Sequence, residues 1–125
     1  MPRHILDESL IHPAIRETVA HHHEDIVLEV KNAVANNRII VIGMAQNPYP
    51  KRACRALSAK SIAFKYLEYG SYLSGWRRRN ALKMWAGWST FPMVFVDGML
   101  VGGAKELLAL LGNGELERML AKPRS

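Results

Sequence analysis

Residues 38–57, RIIVIGMAQNPYPKRACRAL, decide the fold of this chain. Arg38–Met44 is an apolar, β-branched run bounded by polar residues, and it predicts a buried central strand. Asn47 is a favoured N-cap residue and Pro48 suits the first helical position, so we expect a helix from Pro48 to about Lys60. The stretch therefore predicts a strand, a short turn and a helix, with Asn47-Pro48-Tyr49-Pro50 at the joint.

The composition of the whole chain bounds its class. With 125 residues, 49% of them hydrophobic, one domain with a real core is expected. No run is long and apolar enough to span a membrane, and the N-terminal residues lack the apolar core of a signal peptide. The single cysteine allows no intramolecular disulfide, and we expect a cytoplasmic protein. The net charge of +6 permits an anionic partner without naming one.

The N-terminal third is predicted to be helical. Residues 1–12 have no clear period and are interpreted as an arm, before a domain at 13–121 and a tail at 122–125. From Pro13 onward apolar residues recur at helical spacing until Asn36-Asn37. This pattern fits one helix, or two with a joint near His21–His23. Its apolar face could serve the core or self-association.

The remaining elements follow the central strand and its helix in a regular order. Strands are predicted at 64–69, 93–96 and 99–101, and helices at 76–86, 104–111 and 115–120, with a hairpin turn at Asp97-Gly98. The first two strands should be parallel because a helix lies between them. The prediction is an α/β fold: a four-stranded mixed sheet flanked by helices, with an extra N-terminal helix.

The joint at residues 47–50 resembles the active-site turn of glutaredoxins, where Cys-Pro-Tyr-Cys stands. Lys51-Arg52-Ala53 and Phe64 continue the likeness without a gap. Two more stretches, Thr90-Phe91-Pro92 and Val101-Gly102-Gly103, match family motifs in order. Leu82-Lys83 and Trp88 before the first of these are similar to the monothiol members. The resemblance covers roughly residues 24–120 and implies the thioredoxin fold.

The resemblance also implies a glutathione site. In the family the proline before the third strand is cis and faces the active-site turn, and the backbone of the preceding residue pairs with the cysteinyl part of glutathione. The Gly-Gly pair, with an Asp two residues later, holds the γ-glutamyl end; Ala104 and Lys105 follow the pair here. The implied ligand-binding residues are Tyr49, Lys51, Arg77, Phe91, Pro92, Gly102, Gly103 and Ala104.

Both family cysteines are replaced. Asn47 stands at the nucleophile position and Pro50 at the resolving position, so neither can form the thiolate that attacks a disulfide. We therefore expect a groove that binds glutathione, a thiol ligand or a protein partner without catalysing exchange. The alternative is residual thiol–disulfide oxidoreductase activity in cell redox homeostasis, through Cys54 or a partner's cysteine. A half-buried structural role for Cys54 is the favoured interpretation.

Two clusters suggest other chemistry. Consecutive residues on a helix point about 100° apart, so His21–His23 cannot converge on one metal ion, and no metal site is predicted. His22 is interpreted as a core or edge residue. Arg77–Arg79 are interpreted as a solvated helix face near the mouth of the groove. Binding to nucleic acid or an anionic surface is a weaker alternative, because one basic cluster gives little coverage.

Overall fold

The computed structural model describes residues 3–71 and 73–123. Tyr72, in the predicted loop after the second strand, and the ends of the predicted arm and tail lie outside the described residues. The strands are β1 (Ile39–Gly43), β2 (Lys65–Glu68), β3 (Met93–Val96) and β4 (Met99–Gly102). The helices are α1 (Pro13–Ala20), α2 (Glu24–Asn36), α3 (Pro48–Ala59), α4 (Trp76–Ala86), α5 (Ala104–Gly112) and α6 (Glu115–Ala121). The predicted order of elements is confirmed.

The four strands form one mixed sheet in the order β2-β1-β3-β4. β1 pairs in parallel with β2, whereas β3 is antiparallel to both β1 and β4. β3 and β4 are joined by Asp97 and Gly98, whose φ angles of 48° and 83° fit the left-handed turn expected from their sequence. The predicted four-stranded mixed sheet is therefore confirmed.

Helices cover both faces of the sheet. Ile40 and Ile42 of β1 pack on one face with Ile26 of α2 and Leu82 of α4. Alternate side chains, including Val41, point to the other face, where α3, α5 and α6 pack. All five residues of β1 are buried, which explains why this strand is an uninterrupted apolar run.

The N-terminal helical pattern is realised as two helices. His21–His23 form the turn between α1 and α2, and His23 has a left-handed φ of 47°. The turn divides the apolar face, because Ile26 of α2 is fully buried while Ile15 of α1 is 51% exposed. The arm forms a 3₁₀ turn at Glu8–Leu10 that the sequence did not predict.

The arm and the tail each contact the domain through an arginine. Arg3 donates to the carbonyl oxygens of Ala86 at 2.9 Å and Trp85 at 3.3 Å, at the C-terminal end of α4. Arg38 donates to both carboxylate oxygens of Asp97 at 2.8 Å and to the Lys122 carbonyl at 2.8 Å. Within the described part of the chain, no helix combines the length and apolarity needed to cross a bilayer.

Candidate functional site

Three strand ends meet at one edge of the sheet. β1 ends at Gly43, before the turn into α3. The antiparallel register places Met93, the first residue of β3, opposite Ile42, and Gly102, the last of β4, opposite Val94. The loops after β1, before β3 and after β4 are therefore neighbours. These loops carry the three motifs that the sequence singled out.

Asn47 begins α3 as predicted. Its side-chain Oδ1 accepts a hydrogen bond of 3.0 Å from the backbone N–H of Tyr49. Pro48 and Pro50 occupy the first turn, where a missing N–H breaks no helical hydrogen bond. Tyr49 points outward with 53% of its surface exposed, and the Arg52 guanidinium lies 5.3 Å from its ring centroid.

Pro50, at the resolving position, is buried against β1. A Cβ atom built on Gly43 would lie 2.7 Å from Cβ and Cγ of Pro50 and 2.9 Å from the Tyr66 hydroxyl. Gly43 thus allows the first turn of α3 to approach the end of the strand closely. The Pro50 ring packs against the sheet, and Pro50 does not line the groove described below.

The Phe91–Pro92 peptide bond is cis. The loop it forms lies beside the start of α3, and Nδ2 of Asn47 donates a hydrogen bond to the Phe91 carbonyl at 3.2 Å. The carboxamide of Asn47 therefore uses its oxygen to cap the helix and one N–H to hold the loop. Phe91 itself is buried, with the Lys83 ammonium 5.7 Å from its ring centroid.

The third motif forms the opposite wall. Gly102 has a φ of 120°, a region that favours glycine, and Gly103 precedes the first residue of α5. The backbone N–H of Gly103 donates to Oε1 of Glu106 at 2.9 Å, which caps the helix start. Nε1 of Trp88 is buried behind Gly103 and has no hydrogen-bond partner among the described residues.

These walls enclose a groove of about 450 Å³. We call it the motif groove; it is lined by Met44, Asn47, Tyr49, Lys83, Ser89, Thr90, Phe91, Pro92, Gly103, Ala104, Lys105 and Glu106. Its charged side chains are two lysines from α4 and α5 and one glutamate from α5. The groove can therefore accept a small ligand that carries both negative and positive groups.

Six of the residues predicted for the site line the motif groove: Asn47, Tyr49, Phe91, Pro92, Gly103 and Ala104. Gly102 is buried at the end of β4, just behind the groove, and Lys51 is exposed on α3. Arg77 is also exposed, with its guanidinium 5.1 Å from the ring centroid of Trp76. Lys51, Gly102 and Arg77 do not line the groove.

The prediction that Arg77–Arg79 form one solvated face is wrong. Arg79 is only 6% exposed, and its Nη1 donates to the carbonyl oxygens of Tyr69 at 3.0 Å and Ser74 at 2.6 Å. Arg78 bonds to Asp25 of α2 at 2.9 Å, and neither residue lines the groove. Successive helical residues point about 100° apart, so three adjacent arginines reach three different surroundings.

Cys54 lies on α3 about two turns beyond Asn47. It is half-buried against the core between α3 and the sheet, and this burial raises the pKa of its thiol. A raised pKa lowers the thiolate fraction near neutral pH, which is the reactive form. Cys54, the one cysteine of the sequence, does not line the motif groove.

The histidine run forms the surface turn between α1 and α2. His22 is exposed, so of the two predicted places, core or edge, the core is wrong. His21 contacts two carboxylates, Glu17 at 3.2 Å and Glu24. A hydrogen bond and the charge of Glu24 raise the pKa of His21, with a smaller contribution from Glu17. The imidazolium form is thus stabilised at the joint between α1 and α2.

The other six lining residues were not among the predicted site residues: Met44, Lys83, Ser89, Thr90, Lys105 and Glu106. Lys83 belongs to the Leu82-Lys83 pair that carried part of the resemblance, so its motif had already marked it. Glu106 stands three residues after Gly103, the spacing at which a glutamate reaches back to the N-cap amide. Lys105 occupies the position where the family motif has its acid, and Glu106 supplies a carboxylate one residue later.

A second cavity, of about 510 Å³, lies at the opposite end of β1. Asn36, Asn37, Phe64 and Leu120 contribute to its wall. Among the described residues, the charged one that lines this cavity is Arg38. Its guanidinium donates hydrogen bonds to Asp97 and to carbonyl oxygens. Phe64 continues the likeness of the first motif, but the turn at residues 47–50, Thr90-Phe91-Pro92 and Val101-Gly102-Gly103 do not reach this cavity, so the motif groove is the candidate site.

The fold defines a protein of the thioredoxin-fold class, and its groove gathers the three motifs that resemble those of glutaredoxins. Residues 39–101 match the Glutaredoxin family model. A glutaredoxin-like protein of Dictyostelium discoideum is 42% identical over 108 residues, which cover 86% of this chain and 88% of that protein. Glutaredoxin 4 of Buchnera aphidicola from Acyrthosiphon pisum is 30% identical over 78% of this chain and 92% of its own length. The chain belongs to the glutaredoxin family.

Solved structures agree with this assignment. Oxidized glutaredoxin 2 from Chlamydomonas reinhardtii superposes with a TM-score of 0.68 at 28% identity, over 79% of this chain and 94% of that one. A buckwheat glutaredoxin–glutathione complex gives a TM-score of 0.71 at 22% identity, over 81% of this chain and 92% of that one. The second likeness concerns the fold alone.

Proposed function

We propose that this glutaredoxin-family protein is a binding module. Its motif groove would hold glutathione, another thiol ligand or a partner protein, and it would not catalyse disulfide exchange by the family's usual route. One observation carries the proposal: Asn47 presents a carboxamide, beside the cis Phe91–Pro92 bond, where the resemblance places the attacking thiol.

The chemistry of exchange supports the second half of the proposal. Exchange requires a thiolate that forms and breaks sulfur–sulfur bonds. The carboxamide of Asn47 has no thiol to ionise, and Pro50 cannot serve as a resolving group. Cys54 is half-buried, has a raised pKa and does not line the groove. Cys54, the one thiol of the sequence, is therefore not positioned to take over the nucleophile's role.

The volume and the charges of the groove support the proposal that it binds a small ligand. Its volume of about 450 Å³ is in the range of small-molecule sites. Lys83 and Lys105 can attract the carboxylates of a small peptide, and Glu106 can attract its ammonium group. A related fold, from buckwheat, is a glutaredoxin–glutathione complex, which makes glutathione the first ligand to test.

Calorimetric titration with reduced glutathione tests the ligand. We expect saturable heat at millimolar or lower concentrations. Lys83→Ala should weaken binding by about fivefold, since an ion pair that keeps partial contact with solvent contributes about 1 kcal/mol. The matched control is Lys31→Ala, an exposed lysine on α2, which should leave the affinity unchanged. No heat at millimolar ligand would remove glutathione and leave a protein partner, sought by pull-down with and without glutathione.

A mixed-disulfide reduction assay tests the absence of exchange activity. We expect no turnover above the rate without protein. Turnover that Cys54→Ser abolishes would overturn this part of the proposal and establish the alternative, a residual oxidoreductase in cell redox homeostasis. Turnover that survives the substitution and requires a second protein would point to a partner's cysteine.

Two further expectations belong to the proposal. Nucleic-acid binding is disfavoured because Arg78 and Arg79 are engaged within the fold; a retarded, salt-sensitive species in a gel-shift assay would contradict this.

We also propose a cytoplasmic location, on the basis of the single cysteine in the sequence. A fluorescent fusion observed in its host cell would check the location.

A further inference from the structure

The start of α3 offers little to an anion. Four backbone amides, from the N-cap to the third helical position, normally point out of a helix N-terminus. Here Pro48 and Pro50 occupy two of those positions and have no N–H, and the N–H of Tyr49 already donates to Asn47 at 3.0 Å. These three positions therefore present no available donor to a negatively charged sulfur.

The charged side chains around this point do not replace those amides. Arg52 lies over the Tyr49 ring and is exposed, and Lys105 is exposed on α5. Lys83 is half-buried, with its ammonium over the Phe91 ring, and Glu106 contributes an opposing negative charge. Exposed, hydrated cations lower the free energy of a nearby anion much less than fixed amide donors do.

The wall of the groove next to Asn47 is also apolar. Met44 and Phe91 are each 7% exposed, and Pro92 adds its ring to the same wall. Apart from the second N–H of the Asn47 carboxamide, the side chains of this wall offer a thiolate no donor, so it loses hydration with little hydrogen bonding in return, whereas a neutral thioether or disulfide sulfur loses little.

We propose that the motif groove selects ligands whose sulfur is neutral, such as an S-substituted or disulfide-linked cysteinyl peptide, and that Asn47 and Pro50 set this preference. The inference rests on the proposed function, because it assumes that a cysteinyl ligand lies with its sulfur beside Asn47. Glutaredoxin-type exchange needs the opposite setting, in which the sulfur at this place is stabilised as a thiolate.

Paired calorimetric titrations with glutathione and S-methylglutathione, from pH about 6.5 to about 9.5, test the inference across the usual thiol pKa of about 8.5. The ionisable groups at the groove and at the start of α3 are Lys83, Lys105, Glu106, Tyr49, Lys51 and Arg52. Their titration, and that of the ligand's amine, acts on both ligands alike. The ratio of the two affinities therefore reports the sulfur alone. A phosphine reductant keeps glutathione reduced and leaves the thioether intact.

We expect S-methylglutathione to bind at least as well as glutathione, to within about threefold, at the lower end of the pH range. Glutathione should weaken relative to it as the thiol ionises. The opposite result would be glutathione binding that tightens, relative to the thioether, by roughly tenfold per pH unit up to the thiol pKa. It would overturn the inference and leave the proposed function standing. Binding of neither ligand would overturn the inference and remove glutathione from the proposed function as well.

Variants that restore backbone N–H donors at the start of α3 test whether Asn47 and Pro50 set the preference. Pro50→Ala returns one backbone N–H to the first turn, and Asn47→Ala releases the N–H of Tyr49. Each variant should shift the affinity ratio towards glutathione at high pH, and the double variant should shift it further. An unchanged ratio in folded single variants would show that these residues do not set the preference. If the double variant fails to fold, the titrations of the wild type with the two ligands still test the preference for a neutral sulfur.

Discussion

Asn47 and Phe91 are joined on one side of the motif groove by a hydrogen bond of 3.2 Å from Nδ2 to the carbonyl oxygen. The same side chain caps α3 through Oδ1 and the N–H of Tyr49. A cysteine at this position could offer only a weak S–H donor and a weak sulfur acceptor. The replacement of the family cysteine therefore strengthens the contact between the helix start and the cis-proline loop.

This double contact predicts that Asn47 stabilises the fold. Asn47→Ala removes the cap and the link and should lower the free energy of unfolding by about 1–2 kcal/mol. Asn47→Ser keeps an oxygen that can cap the helix, so its loss should be smaller. Urea denaturation of both variants measures the difference. Equal stability of the alanine variant and the wild type would show that neither contact contributes.

Gly43 should not tolerate a side chain. In Gly43→Ala the new methyl group would meet the Pro50 ring at 2.7 Å, and the ring is fixed in the first turn of α3. Overpacking of this kind should lower stability by about 1–3 kcal/mol. The matched control is Gly112→Ala near the end of α5, where nothing lies within 4 Å of the added carbon. Thermal unfolding should show the first variant below the wild type and the second equal to it or above.

The three adjacent arginines should differ sharply in their effect on stability. Arg79→Ala leaves the Tyr69 and Ser74 carbonyls without their buried donor and should cost about 2–3 kcal/mol. Arg78→Ala removes an exposed ion pair with Asp25 and should cost at most about 1 kcal/mol. Arg77→Ala should change stability by less than about 0.5 kcal/mol. Chemical denaturation of the three variants would contradict this account if their losses were equal.

The joint between α1 and α2 should respond to pH through His21. Its pKa is raised in the folded state by Glu24, so its stabilising contribution is complete below the unfolded pKa of about 6.5. The contribution is lost as the pH rises through the raised folded value. The melting temperature of the wild type should therefore fall between pH 6 and pH 8 relative to that of His21→Gln. His4→Gln, a substitution in the arm, is the control and should follow the wild type.

The arginine run and Glu106 show where sequence reasoning stops. Helical period correctly gave the bounds of α4, because it depends on neighbours three and four residues away. It could not tell that Arg79 points inward, since that requires the carbonyls of Tyr69 and Ser74 to gather around it. Glu106 likewise became a groove residue only when the start of α5 was placed beside the cis-proline loop.

The sequence by itself determined the strand–turn–helix unit at residues 38–57, the order of the remaining elements, and the loss of both family sulfurs. Those features depend on local periodicity, capping and residue type. Tertiary structure decided which residues lie together: Asn47 beside the Phe91 carbonyl, Pro50 against Gly43, and Lys83 and Glu106 in the lining of one groove. The physical reason is that sheet register and helix packing place the start of α3 against the end of β1 and bring together residues far apart in sequence, such as Asn47 and Phe91, and no local pattern encodes these contacts.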